Sequence, residues 1–223
     1  MNLLKRLTAV LGIQTRRSVE QILEDLNRTQ QSELLQVLRE LLDLARRDPS
    51  RSLPALPRVI EIFSNDQISV EDFRIAEVSA DILTELGSAA VPQLITLLSH
   101  PDSIIASGAV EILVEINSAS AREALTRIAV PRLRSELNSP DDEIREIAAT
   151  TIGLLGKLST ILVPEITAAL EDTSIEVQLR ALETIQDLRI SQAKKAVANK
   201  ATSTNPFVAE KAKKVLKILG PND

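Results

Sequence analysis

The 223-residue chain carries 26 Lys and Arg against 31 Asp and Glu, a net charge of −5, and 44% of it is hydrophobic although it has only 3 Phe and no Trp or Tyr. A chain this apolar is not disordered, its core must be aliphatic, and with 6 Gly it is too glycine-poor for a turn-rich β-sandwich or a phosphate-cradling α/β fold. The absence of Cys and the single His exclude a disulfide scaffold, thiol catalysis, Cys-based zinc or iron–sulfur sites, catalytic triads and multi-histidine centres, so no metal or cofactor is expected.

At the N-terminus Leu3, Leu4, Leu7, Val10 and Leu11 share one helical face opposite Lys5 and Arg6. The expected role is packing on the next helix; weak contact with a membrane interface is the alternative. Charge inside this run argues against a secretory signal, and no stretch reaches the roughly 20 apolar residues of a bilayer span, so the expected location is cytoplasmic. Val19 to Asn27 and Glu33 to Arg46 read as two helices with Leu-rich faces. With them, residues 1–52 form an N-terminal helical cap or degenerate first repeat, and a linker rich in Pro and Ser follows from Asp48 to Pro57.

From there the sequence repeats. Val91-Pro92-Gln93-Leu94, Val130-Pro131-Arg132-Leu133 and Val163-Pro164-Glu165-Ile166 are copies of one motif, and Leu56-Pro57-Arg58-Val59 is a looser one. The prolines are 35, 39 and 33 residues apart, a period that suits one helix pair per repeat. Proline in a first helical turn forfeits no hydrogen bond, so each is expected to mark the beginning of a first helix. Counting on from the three clearest prolines aligns Ile105, Ile144 and Val177, then the small residues Ala109, Ala148 and Ala181. Ile112-Leu113, Thr151-Ile152 and Thr184-Ile185 align next, then Ile116, Leu155 and Leu188. This is the pattern of a second helix, with a small residue where helices approach closely.

Asp102, Asp141 and Ser174, in the breaks between the two helices, are natural N-caps. A last copy without its proline places Val208, Ala212, Val215-Leu216, Leu219 and Gly220 in the same frame counted from Lys195. The Pro57 copy needs about five extra residues, around Ser64 to Glu71, before Ile82-Leu83 and Leu86-Gly87 return to register. Gly87 and Gly156 suit helix C-termini.

These motifs resemble the HEAT-repeat family. The residues that carry the resemblance run from Val91 to Asn117, Val130 to Gly156 and Val163 to Leu188, and the family's turn Asp and following Arg occur together in Asp141 to Arg145. The expected fold is all-α, a right-handed α-solenoid of antiparallel helix pairs, one continuous array over residues 53–220 with repeats at about 53–87, 88–117, 121–156, 160–189 and 191–220. The resemblance implies that the second helices line a concave side. A similarity of repeat type to the HEAT-like phycobilin lyases and phycobilisome-associated proteins implies an alternative role with a linear tetrapyrrole, to which no residue here is assignable.

Features that suggest catalysis have structural explanations. Asp141-Asp142-Glu143 sits in a first turn, where negative charge and capping are favoured, and His100 lies in a turn without a nucleophile or orienting partner. The chain is therefore expected not to be an enzyme. Charge is segregated: residues 53–189 carry −12, residues 1–52 carry +2 and residues 190–223 carry +5. The acidic body argues against nucleic acid, leaving Lys194, Lys195, Lys200, Lys211, Lys213, Lys214 and Lys217 as the second alternative, a basic footprint for phosphate. Glu77, Asp81 and Glu85 recur at helical spacing, as do Glu111 and Glu115, then Glu183 and Asp187, with Glu146 beside them in the intervening repeat. These eight acids are the expected contact residues for a protein partner with a basic patch, held by a scaffold or assembly factor.

Overall fold

The computed structural model describes residues 17–28, 31–65 and 70–220, and within them every regular element is helical. The apolar N-terminal face from Leu3 to Leu11 lies outside these residues, as does the middle of the expected insertion, 66–69. The chain forms two compact units divided between Leu86 and Gly87.

In the first unit α1 (Val19–Arg28) opens on a reciprocal cap. The Gln21 backbone N–H donates to Ser18 Oγ at 3.2 Å, and the Ser18 N–H donates to Gln21 Oε1 at 2.9 Å. α1 packs on α2 (Gln31–Arg47), whose Leu38 and Leu41 are fully buried. The expected linker is instead helical: α3 (Pro49–Ser52) and a 3-10 turn (Leu53–Ala55) run straight into α4 (Leu56–Phe63). Its prolines fall at first-turn positions, where their fixed φ starts helices and does not interrupt them. α5 (Val70–Leu86) packs against both α2 and α4, burying Ile82 and Leu83.

The second unit stacks helix pairs. Its second helices are α7 (Ser103–Ile116), α10 (Asp142–Leu154), α12 (Ile175–Asp187) and α14 (Pro206–Leu219), each packed on the next. The first helices are α6 (Val91–Leu97), α8 (Ala119–Ala124) continued by α9 (Val130–Glu136), α11 (Val163–Ala168) and α13 (Lys194–Lys200). Asp102 Oδ1 caps α7 by accepting from the Ile104 and Ile105 N–H groups at 2.7 and 3.2 Å, and Asp141, Ser174 and Asn205 do the same for the other three.

The prolines do not begin helical structure; they begin its α-helical part. A 3-10 segment precedes Pro57, Pro92 and Pro164. Pro131 lies within a helical run from Ala119 to Glu136, where a π segment (Leu125–Ala129) intervenes and the Val130 N–H reaches back to Leu125 O. Both lead-ins replace the regular i→i−4 ladder that a proline would break.

Tight packing follows the small-residue column: Ala109, Ala148, Ala181 and Ala212 have no exposed surface, and Ser79 at the equivalent place in α5 has none either. Full burial of each neighbouring Leu or Ile, such as Leu113, Ile152 or Ile185, contributes about 1.5–3 kcal/mol. Every second helix ends on a residue with positive φ in one alignment column: Gly87 (58°), Asn117 (49°), Gly156 (54°), Arg189 (50°) and Gly220 (79°). This left-handed residue lets the chain reverse and start the next repeat.

Candidate partner-binding face

Three side chains brace the turns of the second unit, and two of them, Arg132 and Arg145, also join neighbouring repeats. At the ends of α6, α9 and α11 a side chain satisfies a turn carbonyl. Arg145 Nη1 donates to Ser139 O at 2.8 Å, Gln178 Nε2 to Asp172 O at 2.7 Å, and Arg132 Nη1 reaches back one repeat to His100 O at 2.6 Å and Leu98 O at 3.0 Å. Ala106 stands where Arg145 and Gln178 stand in their repeats, so the first of these carbonyls has to be served from the next repeat. Arg145 also grips Asp172 with two parallel bonds of 2.8 and 2.9 Å, holding that carboxyl below its usual range. Burial opposes the shift and the Ser174 N–H assists it. Arg132 pairs with Glu136 at 2.7 Å beside a cavity with room for about one water, lined in part by Ser103, Ser107 and Thr151.

His100 and the Asp141 cluster belong to this framework: His100 Nδ1 accepts the Asp102 N–H at 3.1 Å, and Asp141 caps α10. Among the described residues no group of three or more His, Asp or Glu is placed to hold a metal ion. None of their helices is long and apolar enough to cross a membrane.

The acids are placed as follows. In the first unit Glu77, Asp81 and Glu85 are exposed along α5, and Arg46 of α2 reaches Asp81 at 3.5 Å and Glu85 at 3.2 Å. In the second unit Glu146 and Glu183 are half-buried members of a charge ladder. Arg180 bridges Glu146 at 3.0 Å and Glu183 at 2.8 Å, and Lys211 reaches Glu183 at 3.5 Å, linking α10, α12 and α14. Two hydrogen-bonded carboxylates raise the Arg180 pKa above its ordinary value. Asp187 is exposed and accepts from Gln186 Nε2 at 3.2 Å. Glu111 and Glu115 are exposed on α7 and make no ion pair among the described residues.

The eight acids are thus two groups, and within each a cation from the neighbouring helix neutralises part. What the sequence reading missed is the pairing of Arg46, Arg180 and Lys211 with these acids. Arg180 lies one turn before Glu183, a visible signal, whereas the partnership of Arg46 with α5 spans 39 residues and has no sequence signature. In the lysine-rich tail, Lys200, Lys211 and Lys214 are engaged by Glu171, Glu183 and Glu210.

No family model and no curated protein matches the chain. The HEAT type and the likeness to phycobilin lyases therefore rest on the repeat residues alone. Solved structures do share the fold. A designed armadillo repeat protein in complex with the peptide (KR)4 superposes with a TM-score of 0.52 at 21% identity, over 92% of this chain and 100% of that one. Computationally designed armadillo repeat proteins for modular peptide recognition give 0.50 at 20% identity, over 91% and 100%. Cex1p gives 0.56 at 17% identity over 89% of this chain, which spans 43% of Cex1p. At such identities the shared property is the fold, an all-α helical-repeat solenoid.

Proposed function

We propose that the chain is a non-enzymatic scaffold or assembly factor that holds a basic segment of another protein on the exposed face of its second helices. The observation that carries this reading is the pair Glu111 and Glu115, like charges one turn apart on α7 with no counter-ion among the described residues. Such a pair costs a few tenths of a kcal/mol within the helix, so it serves the fold poorly and a cationic partner well. The designed armadillo protein of the same fold whose structure includes the peptide (KR)4 supports the reading, because it places a basic ligand on a solenoid. Within the solenoid class, the turn residues Asp141 and Arg145, which carry the resemblance, favour HEAT-type repeats.

The test compares two neutralised variants in binding a fluorescent (KR)4 peptide. One carries Glu111→Gln, Glu115→Gln, Glu183→Gln and Asp187→Asn; the control carries Glu20→Gln, Glu24→Gln and Asp43→Asn at exposed sites in the first unit. Exposed charge contacts contribute about 0.2–1 kcal/mol each, so the first variant should bind at least several-fold more weakly at low salt while the control keeps its affinity. Equal affinities would remove the acids from the site.

A further inference from the structure

The second-helix face of the second unit is not uniformly acidic. It has two ends. On α7 the exposed side carries Glu111 and Glu115 and no cation at all. Over α10 and α12 the Glu146–Arg180–Glu183 ladder sets one cation against two carboxylates, and exposed Asp187 adds a third, so the middle of the face stays mildly acidic. On α14 the charge reverses: the helix carries four lysines and one glutamate, a net +3, with Lys211 paired to Glu183 and Lys214 to Glu210 on the shared face and with Lys213 and Lys217 exposed and in no ion pair among the described residues. The Lys211–Glu183 contact shows that this side of α14 adjoins the ladder. Exposed apolar groups accompany the charges: Ile104 at the α7 end is 48% exposed, and Phe207 and Ile218 at the α14 end are 68% and 46% exposed. Residues 207, 214 and 218 fall on one helical stripe at 100° per residue.

A solvated solubilising surface would intersperse the two signs. Here the end helices differ in net charge, −2 on α7 and +3 on α14, and that difference sets up a potential of opposite sign at the two ends. Resting on the scaffold reading above, we infer that the face takes a bipolar segment of a partner protein, basic where it meets α7 and acidic where it meets α14, with apolar side chains set against Ile104 and Phe207. Three helix-to-helix steps of about 8–10 Å separate α7 from α14, so an extended segment of about eight or nine residues spans them. A uniformly basic segment meets repulsion from the net positive charge of α14 at one end, and a uniformly acidic one from Glu111 and Glu115 at the other. The charge pattern therefore selects both the partner and the way round in which it lies.

The experiment uses three fluorescent decapeptides with the same apolar residues: one basic in its first half and acidic in its second, one basic throughout and one acidic throughout. Affinities are measured by anisotropy for the full chain and for two variants, Glu111→Gln with Glu115→Gln and Lys211→Gln with Lys214→Gln. Circular dichroism checks that both variants remain folded. The bipolar peptide is expected to bind the unaltered chain about tenfold more tightly than the uniformly basic one, a difference of about 1.4 kcal/mol. Each variant should lose several-fold in affinity for it, and the lysine variant should gain affinity for the uniformly basic peptide. A nitroxide at the basic end of the bipolar peptide should broaden the methyl signals of Ile104 and spare those of Ile218.

Equal binding of the bipolar and basic peptides, with no response to the lysine variant, overturns the inference and leaves the scaffold reading standing. Preferential binding of the acidic peptide overturns both. Binding of none of the three overturns both as well. Broadening of Ile218 in place of Ile104 by the same label overturns the proposed arrangement even if the affinities follow the expected order.

Discussion

The left-handed residue that ends each second helix is the point where a single side chain bears most directly on the fold. Gly156 has open space where a Cβ would stand, so Gly156→Ala creates no clash, yet its φ of 54° disfavours any L side chain. The substitution should cost about 1–2 kcal/mol, read as a lower urea midpoint with an unchanged slope. Arg189 already bears that strain at φ 50°. Arg189→Gly should recover it less the entropy cost of glycine, a net gain of about 0.5–1 kcal/mol in the same assay. The small-residue column gives the opposite case: Ala148 has no exposed surface, so Ala148→Leu should overpack and cost about 1–3 kcal/mol. An unchanged melting temperature would show that the neighbouring helices separate without strain. These positions were readable from the repeat frame, because alignment puts Ala with Ala and Gly with Asn. The conformation of Arg189 was not, since its residue type gives no hint of a positive φ.

At the level of the element, stability passes between helix pairs through the turn side chains. Asp172 is held below its usual pKa by Arg145, and an unfolded Asp titrates near 4, so the folded carboxylate binds protons less readily than the unfolded one. Its contribution is then fully present above the unfolded pKa and is lost as pH falls through the folded value. The Asp172→Asn variant should melt below the unaltered chain from pH 8 to pH 5, and the gap should narrow below about pH 4. A gap that persisted into acid would mean that the carboxylate charge is not what stabilises this junction. The Asp141 to Arg145 turn was legible as part of the repeat, but its partner was not: Arg145 reaches across 27 residues to a position that aligns with Ser139 and His100, not with another Asp cap.

For the whole molecule the arrangement is quasi-one-dimensional within the second unit, where α7, α10, α12 and α14 each pack on their immediate neighbours. Removing the last pair should therefore weaken the unit without erasing it. A chain ending at Arg189 is expected to keep a helical far-ultraviolet spectrum with no strand signal and to melt at a lower temperature, because α12 then exposes the side that α14 covers. Complete loss of helicity would show that the last pair nucleates the others. The charge distribution also belongs to this scale: −7 over residues 87–189 and +5 over residues 190–223 are properties of the sequence, and the stack of second helices in the second unit sets them toward opposite ends.

What the sequence determined by itself is whatever repeats. Helical periodicity, caps at Asp102, Asp141 and Ser174, and buried Ala and Leu columns are local or in register with their copies, so one chain compared with itself reveals them. Tertiary structure decided what depends on a neighbour brought close by folding. It made the Asp48 to Pro57 segment helical and continued a helix through Pro131 by way of a π segment. It also set Arg46, Arg180 and Lys211 against acids that would otherwise have read as free. The physical reason is reach: hydrogen-bonded caps and helix periodicity act within a few residues of sequence, whereas a charge is neutralised by whichever group lies within about 4 Å, regardless of where in the chain it comes from.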